Sequence, residues 1–308
     1  MCGIISKKRK NMEDKVMKLS ELLAKDGLSL SFEVFPPKTD SAFDSVKMAT
    51  EEIAKLRPSF MSVTYGAGGG TSKYTLEIAK NIKNEYSVPT LAHLTCVSST
   101  KDTVKEKIAQ IKDAGIENVL ALRGDLTPEL EAADRSGWAY RHAIDLIYEL
   151  RESGADFCIG CACYPEIHPE SPNQAYDIKY LKEKVDAGCS FMTTQMFFDN
   201  NLLYNFLYKI RESGITVPVI PGIMPITNGN QVDRAIKLSG SFMPQRFKSL
   251  VDKFGSSPDA MKQAGIIYAT DQIIDLFANG IRNVHVYSMN KPEVAAAIIH
   301  NLSDIIYR

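Results

Sequence analysis

Two carboxylic acids in the sequence have surroundings that suit acid–base chemistry. Glu33 lies in the segment FEVFPP, residues 32–37, where its neighbours are bulky and apolar. Such a carboxyl is either a solvent-facing strand residue with a salt-bridge partner or a group whose pKa is raised by desolvation until it can donate a proton near neutral pH. Asp125 follows the segment ALRG, residues 121–124, and is the second candidate carboxylate.

A glycine-rich segment, GAGGGT at residues 66–71, lies between a β-like run and a helical segment. That position is typical of a dinucleotide-binding fingerprint, in which glycines let the backbone approach a pyrophosphate. Here Thr71 replaces the third glycine, and the next β-like run ends in His93-Leu94-Thr95 without the expected acid. The segment therefore indicates a flexible loop that lets a cofactor approach the backbone, and only weakly a Rossmann site.

Three cysteines, Cys158, Cys161 and Cys163, lie close enough in sequence to suggest a metal-binding cluster. On a strand, however, Cys161 and Cys163 share one face while Cys158 points to the other. Tetrahedral thiolate sites normally need a turn between their ligands. We therefore predict small core residues here and no metal site.

The elements that must position these residues alternate between two patterns from about residue 28 onward. Short β-like runs are followed by longer segments with apolar residues at helical spacing, which is typical of a parallel α/β fold. Many helical segments end in a glycine that supplies a left-handed cap before the next run, namely Gly115, Gly154, Gly188, Gly214 and Gly280. The eight β-like runs span residues 28–35, 60–66, 90–97, 118–124, 157–164, 191–198, 217–224 and 283–289.

This pattern predicts an N-terminal extension with a helix over residues 1–27 and a single (β/α)8 TIM barrel over residues 28–308. An open, doubly wound sheet is the alternative, because two helical stretches in 229–282 flank a region rich in Ser, Gly and Pro and delay the last strand. In a barrel the active site lies at the carboxyl ends of the strands, so the polar residues there should share one pocket. They are Glu33, Thr64, Tyr65, His93, Thr95, Arg123, Asp125, Tyr164, Glu166, His168, Gln195, Asp199, Tyr287 and Asn290.

Composition and charge argue against several classes of function. The 308 residues include 36 basic and 37 acidic ones, so the formal net charge of -1 gives no broad positive field for nucleic acid. No stretch approaches the roughly 18 consecutive apolar residues of a membrane span. The first residues carry their charges after a short apolar run, which is the reverse of a secretory signal. The six cysteines follow no disulfide framework, so we predict reduced thiols and a cytoplasmic protein.

Seven strings along the chain together resemble one known family. They are SFEVFPP at 31–37, SVTYGA at 62–67, HLTC at 93–96, ALRGD at 121–125, YPEIHPE at 164–170, KVDAG at 184–188 and TQ at 194–195. No single string is decisive, but in this order they closely resemble the catalytic domain of the bacterial methylenetetrahydrofolate reductase family. The resemblance covers roughly residues 28–300.

The resemblance implies that FAD lies at the carboxyl ends of the barrel strands without a Rossmann domain. It assigns flavin contacts to Thr64, Tyr65, Ala67, His93, Arg123, Gly124, Asp125, Ala143, Tyr164, His168, Asp177 and Lys184. It assigns folate contacts to Gln195, Gln231, Tyr287 and Lys291. Glu33 would be the general acid, and Asp125 would lie between the flavin and the pterin.

The implied activity is the reduction of 5,10-methylenetetrahydrofolate to 5-methyltetrahydrofolate by hydride from reduced FAD, which feeds methionine synthesis in one-carbon metabolism. The electron donor stays open between NADH, NADPH and a partner electron-transfer subunit. NADH-using bacterial members have a bulky apolar residue shortly after the Gln231 position, and here Ala235 stands there. Lys291 replaces a frequent arginine and loses its bidentate geometry, and Tyr180 and Glu183 replace polar amide and basic residues of some relatives. A non-redox, pterin-binding transferase is the alternative, and a homo-oligomer is expected.

Overall fold

Parallel strands and helices alternate in the computed structural model of the chain, which describes residues 17–65, 72–126, 130 and 132–306. The strands are β1 (Ser29–Val34), β2 (Met61–Val63), β3 (Thr90–Thr95), β4 (Asn118–Leu122), β5 (Cys158–Cys163), β6 (Phe191–Thr194), β7 (Val219–Ile220), β8 (Gly222–Ile223) and β9 (Asn283–Tyr287). The main helices are α1 (Leu19–Leu23), α2 (Phe43–Lys55), α3 (Ser72–Tyr86), α4 (Lys101–Asp113), α5 (Ala143–Glu152), α6 (Gln174–Asp186), α7 (Asn200–Glu212), α8 (Gln231–Ser239), α9 (Gln245–Phe254), α10 (Pro258–Ala278), α11 (Pro292–Asn301) and α12 (Ser303–Ile306). Each predicted β-like run contains at least one strand.

The strands form one parallel sheet whose order closes it into a barrel. The order is β7-β6-β5-β4-β3-β2-β1-β9-β8, so the last strand in the chain returns to the first. The two ends of this order, β7 and β8, are the two halves of one segment, 219–223. Because β7 pairs with β6 and β8 pairs with β9, this segment joins the two edges of the sheet. The predicted (β/α)8 barrel is confirmed, and the open doubly wound sheet is wrong.

The seventh predicted run, residues 217–224, differs from the single strand that the sequence suggested. Proline has no N–H and cannot donate to a sheet ladder, so Pro221 divides the run into two short strands. The Pro221 carbonyl still accepts a hydrogen bond from the His285 N–H at 2.8 Å, and the Gly222 N–H donates to Thr194 Oγ1 at 2.9 Å. The segment thus pairs with β6 before the proline and with β9 after it.

The helices pack on the outer faces of the strands through the predicted apolar positions. In α4, for example, Ile108 and Ile111 belong to the apolar layer between helices and strands. The five predicted cap glycines all have positive φ, between 66° and 119°, which confirms that they end their helices in the left-handed conformation. No helix within the described ranges is both long and apolar enough to cross a membrane.

A separate apolar cluster lies inside the barrel at the end where the strands begin, and we call it the base cluster. It consists of Leu19 and Leu23 of α1 with Phe60, Leu91, Leu120, Cys158, Phe191 and Ile220. Helix α1 lies under the barrel, where the Leu19 N–H donates to Oδ1 of Asn118 at 2.7 Å. Cys158 packs in this interior cluster whereas Cys161 and Cys163 pack in the outer layer, so the predicted division of the cysteines between two faces is confirmed.

The region 229–282, which weakened the barrel pattern in the sequence, packs as helices α8 to α10 against the loops that follow β6 and β8. Phe198, Ile226, Phe247 and Tyr268 are among the buried residues of this layer. The Tyr268 hydroxyl donates to the Phe198 carbonyl at 2.6 Å. Gly265 of α10 lies so close to the Ile226 backbone that a side chain would not fit. This layer supports one wall of the cavity at the carboxyl ends of the strands.

Candidate active site

A large cavity opens at the carboxyl ends of the strands and has a volume of about 800 Å³. Cavities of this size accept drug-sized or cofactor-sized ligands. Most of the predicted site residues line it, namely Glu33, Thr64, Tyr65, His93, Arg123, Gly124, Asp125, Ala143, Tyr164, His168, Asp177, Lys184, Gln195, Gln231 and Tyr287. The barrel therefore brings both candidate carboxylates and most of the predicted flavin and folate contacts to one space.

Two predicted positions stand apart from this set. Ala67 belongs to the glycine-rich segment 66–71, which lies outside the described residues. Lys291 is not among the residues that line the cavity, and its Nζ donates to Thr227 Oγ1 at 2.7 Å. The Thr227 N–H in turn donates to Oε1 of Gln231 at 3.1 Å. Lys291 is thus connected to the cavity through Thr227 and Gln231.

Three of the polar residues near strand ends stabilise loops. Both carboxylate oxygens of Glu166 accept the Phe242 N–H, at 3.0 and 2.8 Å. Asp199 caps α7. Asn290 forms two backbone hydrogen bonds with Phe35, each 2.9 Å long. The expectation that every polar strand end contributes to the pocket is therefore wrong for these three, because their side chains satisfy nearby backbone groups.

Glu33 lies on β1, lines the cavity and has a side chain that is 21% exposed. Burial raises its pKa to about 8, and the Ser62 hydroxyl, 3.5 Å from Oε2, opposes that rise. The carboxyl is therefore mostly protonated near neutral pH, which is the state that can donate a proton. Of the two interpretations of Glu33, a desolvated carboxyl agrees with its burial, and its role as an acid stays a prediction.

His93 of β3 contacts Glu33 without forming an ion pair. Its Nε2 lies 3.7 Å from Glu33 Oε2, which is beyond hydrogen-bond distance. Burial lowers the pKa of His93 to about 3, so the imidazole is neutral at neutral pH. His93 therefore does not stabilise the ionised form of Glu33, because it carries no positive charge and forms no short hydrogen bond with the carboxyl.

A buried chain of hydrogen bonds approaches Glu33, and its central residue, His285, was not among the site residues predicted from the sequence. His285 of β9 contacts Ser31 Oγ through Nδ1 at 2.7 Å and Ser62 Oγ through Nε2 at 2.9 Å. Burial lowers the pKa of His285 to about 3, so one ring nitrogen donates and the other accepts. The available signal was the strand period of two, which places His285 on the same face as Tyr287. These hydrogen bonds fix the position of the Ser62 hydroxyl, which lies next to Glu33.

Tyr287 borders the cavity beside the segment that closes the barrel. Its hydroxyl donates to the Thr194 carbonyl oxygen at 2.5 Å. Burial raises the pKa of Tyr287 well above its usual range, so the phenol stays neutral. Gly222 allows this approach, because a Cβ at that position would lie 2.6 Å from the same carbonyl oxygen. The contact between Tyr287 and Thr194 therefore depends on residue 222 having no side chain.

Two cationic side chains, Arg123 and Lys184, line the cavity. The guanidinium of Arg123 forms two parallel hydrogen bonds with Glu170, at 2.5 and 2.8 Å. This pairing raises the pKa of Arg123 and lowers that of Glu170. Lys184 Nζ donates to the Ala162 carbonyl at 3.3 Å. Charged donors of this kind suit a phosphate or a carboxylate.

An apolar wall faces the same space. It is formed by Met196 after β6, Met224 after β8 and Ala235 of α8. Polarizable methionine side chains pack well against flat aromatic systems. Gln195 lies at the edge of this wall, and its Oε1 accepts the Met196 N–H at 2.9 Å. The cavity thus combines cationic donors, a neutral acid and an apolar wall.

The chain matches one protein family over nearly its full length. The family described as "Methylenetetrahydrofolate reductase" matches residues 18–303. Among curated relatives, the 5,10-methylenetetrahydrofolate reductases of Pectobacterium carotovorum subsp. carotovorum and Escherichia coli (strain K12) are each 34% identical over 275 residues. Each alignment covers 89% of this chain and 90% of the relative.

Other relatives are longer or more distant. The "Probable methylenetetrahydrofolate reductase (NADH)" of Oryza sativa subsp. japonica is 35% identical over 297 residues, which cover 93% of this chain and 50% of the relative. The chain therefore spans about half the length of the plant relatives that it matches. A solved structure described as "Uncharacterized protein from Clostridium thermocellum binds two copies of 5-methyl-5,6,7,8-tetrahydrofolic acid" has a TM-score of 0.69 and 15% identity, over 94% of this chain and 99% of that one. That likeness supports the barrel fold. By the family match and the bacterial relatives, this chain belongs to the methylenetetrahydrofolate reductase family.

Proposed function

We propose that this chain reduces 5,10-methylenetetrahydrofolate to 5-methyltetrahydrofolate, with FAD bound in the cavity. The observation that carries the proposal is the desolvated carboxyl of Glu33, whose pKa burial raises and which lines the same cavity as Asp125 and Gln195. The names of the bacterial relatives support the reaction, and the solved neighbour from Clostridium thermocellum is described as binding a related folate. The product would supply a methyl group for methionine synthesis.

The donors of the cavity fit a flavin dinucleotide. Arg123 and Lys184 would hold its phosphates, and the other predicted flavin contacts line the same space, apart from Ala67. Thr193 Oγ1 is buried and has no hydrogen-bond partner within the described part of the chain, so a bound ligand can satisfy it. When bound, FAD supplies the hydride that the reaction needs.

Glu33 would protonate the folate nitrogen that departs when the methylene bridge opens. The bridge must open before its carbon can accept hydride, and the opening needs a proton on that nitrogen. Few contacts stabilise the charged form of Glu33: the hydrogen bond that Ser62 Oγ donates is 3.5 Å long, and the neutral His93 lies 3.7 Å away. The surrounding residues thus keep the acid protonated and leave its proton transferable.

Asp125 would stabilise the positive charge that ring opening develops on the folate. Its side chain is exposed in the cavity, and a fixed carboxylate near a developing cation lowers the energy of that charge. His93 and His285 are neutral, so they add no opposing charge. Gln195 accepts the Met196 N–H through Oε1, and its side chain also forms a hydrogen bond with Tyr164, so these two contacts orient the amide that would face the substrate.

We propose NADH or NADPH as the reductant, with a partner electron-transfer subunit as the second candidate. The rice relative carries NADH in its name. The second candidate has support because Ala235, a small residue, forms the part of the wall where NADH-using bacterial relatives carry a bulky one. A homo-oligomeric assembly stays a prediction. So does a cytoplasmic location, which agrees with the five described cysteines being free and buried.

The test is a flavin and folate assay on the purified chain. A bound flavin absorbance that bleaches anaerobically with NADH or NADPH and recovers when methylenetetrahydrofolate is added is the expected result. If methylenetetrahydrofolate oxidises the reduced flavin but neither NADH nor NADPH reduces the oxidised flavin, a partner subunit is the electron donor. A colourless preparation that does not take up FAD, yet binds folate, would refute the proposal and favour a non-redox transferase.

A further inference from the structure

Helix α1 is ordered by what it contacts under the barrel. It has five residues and no side-chain cap at its N-terminus, and so short a helix is not stable by itself. Leu19 and Leu23 are 0% and 4% exposed, because both insert into the base cluster. The Leu19 N–H donates to Asn118 Oδ1 at 2.7 Å, and Lys18 pairs with Asp156 at 2.5 Å. The helix therefore closes the end of the barrel where the strands begin.

The base cluster is also the floor of the active-site cavity. Leu91 and Leu120 line the cavity, and both are members of the base cluster together with Leu19 and Leu23. The residues at the floor of the cavity thus pack in one apolar cluster with those of α1. Among the described residues, α1 covers this cluster at the base of the barrel.

A chain of contacts connects the base cluster to Glu33. Phe60, a member of that cluster, stacks on His285 with ring centroids 5.3 Å apart and planes 7° apart. His285 Nε2 contacts Ser62 Oγ at 2.9 Å, and Ser62 Oγ lies 3.5 Å from Glu33 Oε2. A change in packing or hydration at the base therefore reaches the carboxyl through three neighbouring side chains.

We propose that α1 is a positioning element of the active site, in which Leu19 and Leu23 seal the base of the barrel and keep water out of the interior beneath Glu33. The inference rests on the proposed function for the role of Glu33. The groups that interact with Glu33 are the Ser62 hydroxyl from β2, His93 from β3 and Tyr287 from β9, and His285 of β9 contacts Ser62. Their rings and hydroxyls are neutral near neutral pH, so hydration of the interior is the variable that α1 controls.

The matched variants are Leu23→Ser and Ala24→Ser in the full chain as isolated. They introduce the same side chain at adjacent positions, of which Leu23 is buried and Ala24 exposed. The measurement is an infrared pH titration of the protonated carboxyl band that disappears in Glu33→Gln. We expect Leu23→Ser to move the midpoint down by about one pH unit or more, toward the ordinary value, because water then solvates the carboxylate. Ala24→Ser should titrate as the unsubstituted chain does.

An unchanged midpoint in a Leu23→Ser protein that still unfolds cooperatively would overturn the inference. Should Leu23→Ser not fold, Leu23→Ala opens space at the same site without a polar group, and an unchanged midpoint there overturns it equally. The band reports protonation without turnover, so it separates the two proposals. A chain that fails to reduce folate but shows the shift refutes the proposed function alone, whereas normal folate reduction with no shift refutes the role of α1 alone.

Discussion

The substitution Glu33→Gln separates proton donation from the other tasks of the site. Glutamine has nearly the same size and can accept the same hydrogen bond from Ser62, but it cannot act as an acid near neutral pH. We expect the variant to bind FAD and to be reduced by its donor within about threefold of the unsubstituted rate. Folate reduction should fall by about 10²- to 10⁴-fold, which is the usual contribution of a general acid.

The size of this effect follows from the burial of the carboxyl. With a pKa of about 8, about 90% of Glu33 is protonated at pH 7, whereas a carboxyl with a pKa of 4.5 would be about 0.3% protonated. Burial therefore provides about 300 times more of the acid form. Because the protonated form is the active one, the folate half-reaction should be level below pH 8 and fall as the pH rises through about 8. This decrease should be absent from the residual rate of Glu33→Gln.

Anaerobic stopped-flow spectroscopy measures the two half-reactions separately through the flavin absorbance. Glu85→Gln is the matched control, since Glu85 is an exposed residue of α3 and the substitution is the same. It should leave both half-reactions unchanged. Folate reduction by Glu33→Gln within about tenfold of the unsubstituted chain, with the decrease above pH 8 still present, would refute Glu33 as the proton donor.

Three further substitutions or conditions test the geometry. Glu33 binds its proton more tightly in the folded chain, so stability is lost as the pH rises from 4.5 through about 8. Between pH 5 and 8 the free energy of unfolding should therefore fall by about 3.5 kcal/mol more than in Glu33→Gln, and equal changes in urea titrations would contradict this. Glu170→Gln removes the carboxylate that occupies Arg123, so FAD should bind about two- to fivefold more tightly at low salt in a fluorescence titration, and weaker binding would instead show that Glu170 orients the guanidinium. Gly222→Ala should lower the free energy of unfolding by about 1–3 kcal/mol in thermal unfolding, because the added Cβ would lie too close to backbone. In the control Gly137→Ala the added Cβ has nothing within 4 Å, and the loss should be less than about 0.5 kcal/mol. Equal losses would show that the packing around Gly222 is loose enough to accept a methyl group.

Local pattern in the sequence was sufficient to predict most of the strands and the end of the barrel at which the candidate site lies. Runs such as 90–97 and 118–124 are strands because apolar residues favour a doubly covered strand, and each glycine cap depends on the backbone of its own turn. The convergence of Glu33, Arg123 and Gln195 follows from chain direction. Parallel strands in a barrel end at one rim, so residues at their carboxyl ends meet whatever the details of packing.

Tertiary structure alone decided the protonation of Glu33 and the partners of the other side chains. Ser31 and His285 are 254 positions apart in the chain, and their hydrogen bond exists because β1 and β9 are neighbours in the closed barrel. The same closure divides the predicted seventh strand at Pro221 and brings Lys291 into a hydrogen bond with Thr227. Strand and cap preferences depend on adjacent residues, so they can be inferred from sequence. A pKa, a distance or a wall position depends on contacts between distant parts of the chain, and these are defined only when the barrel has closed.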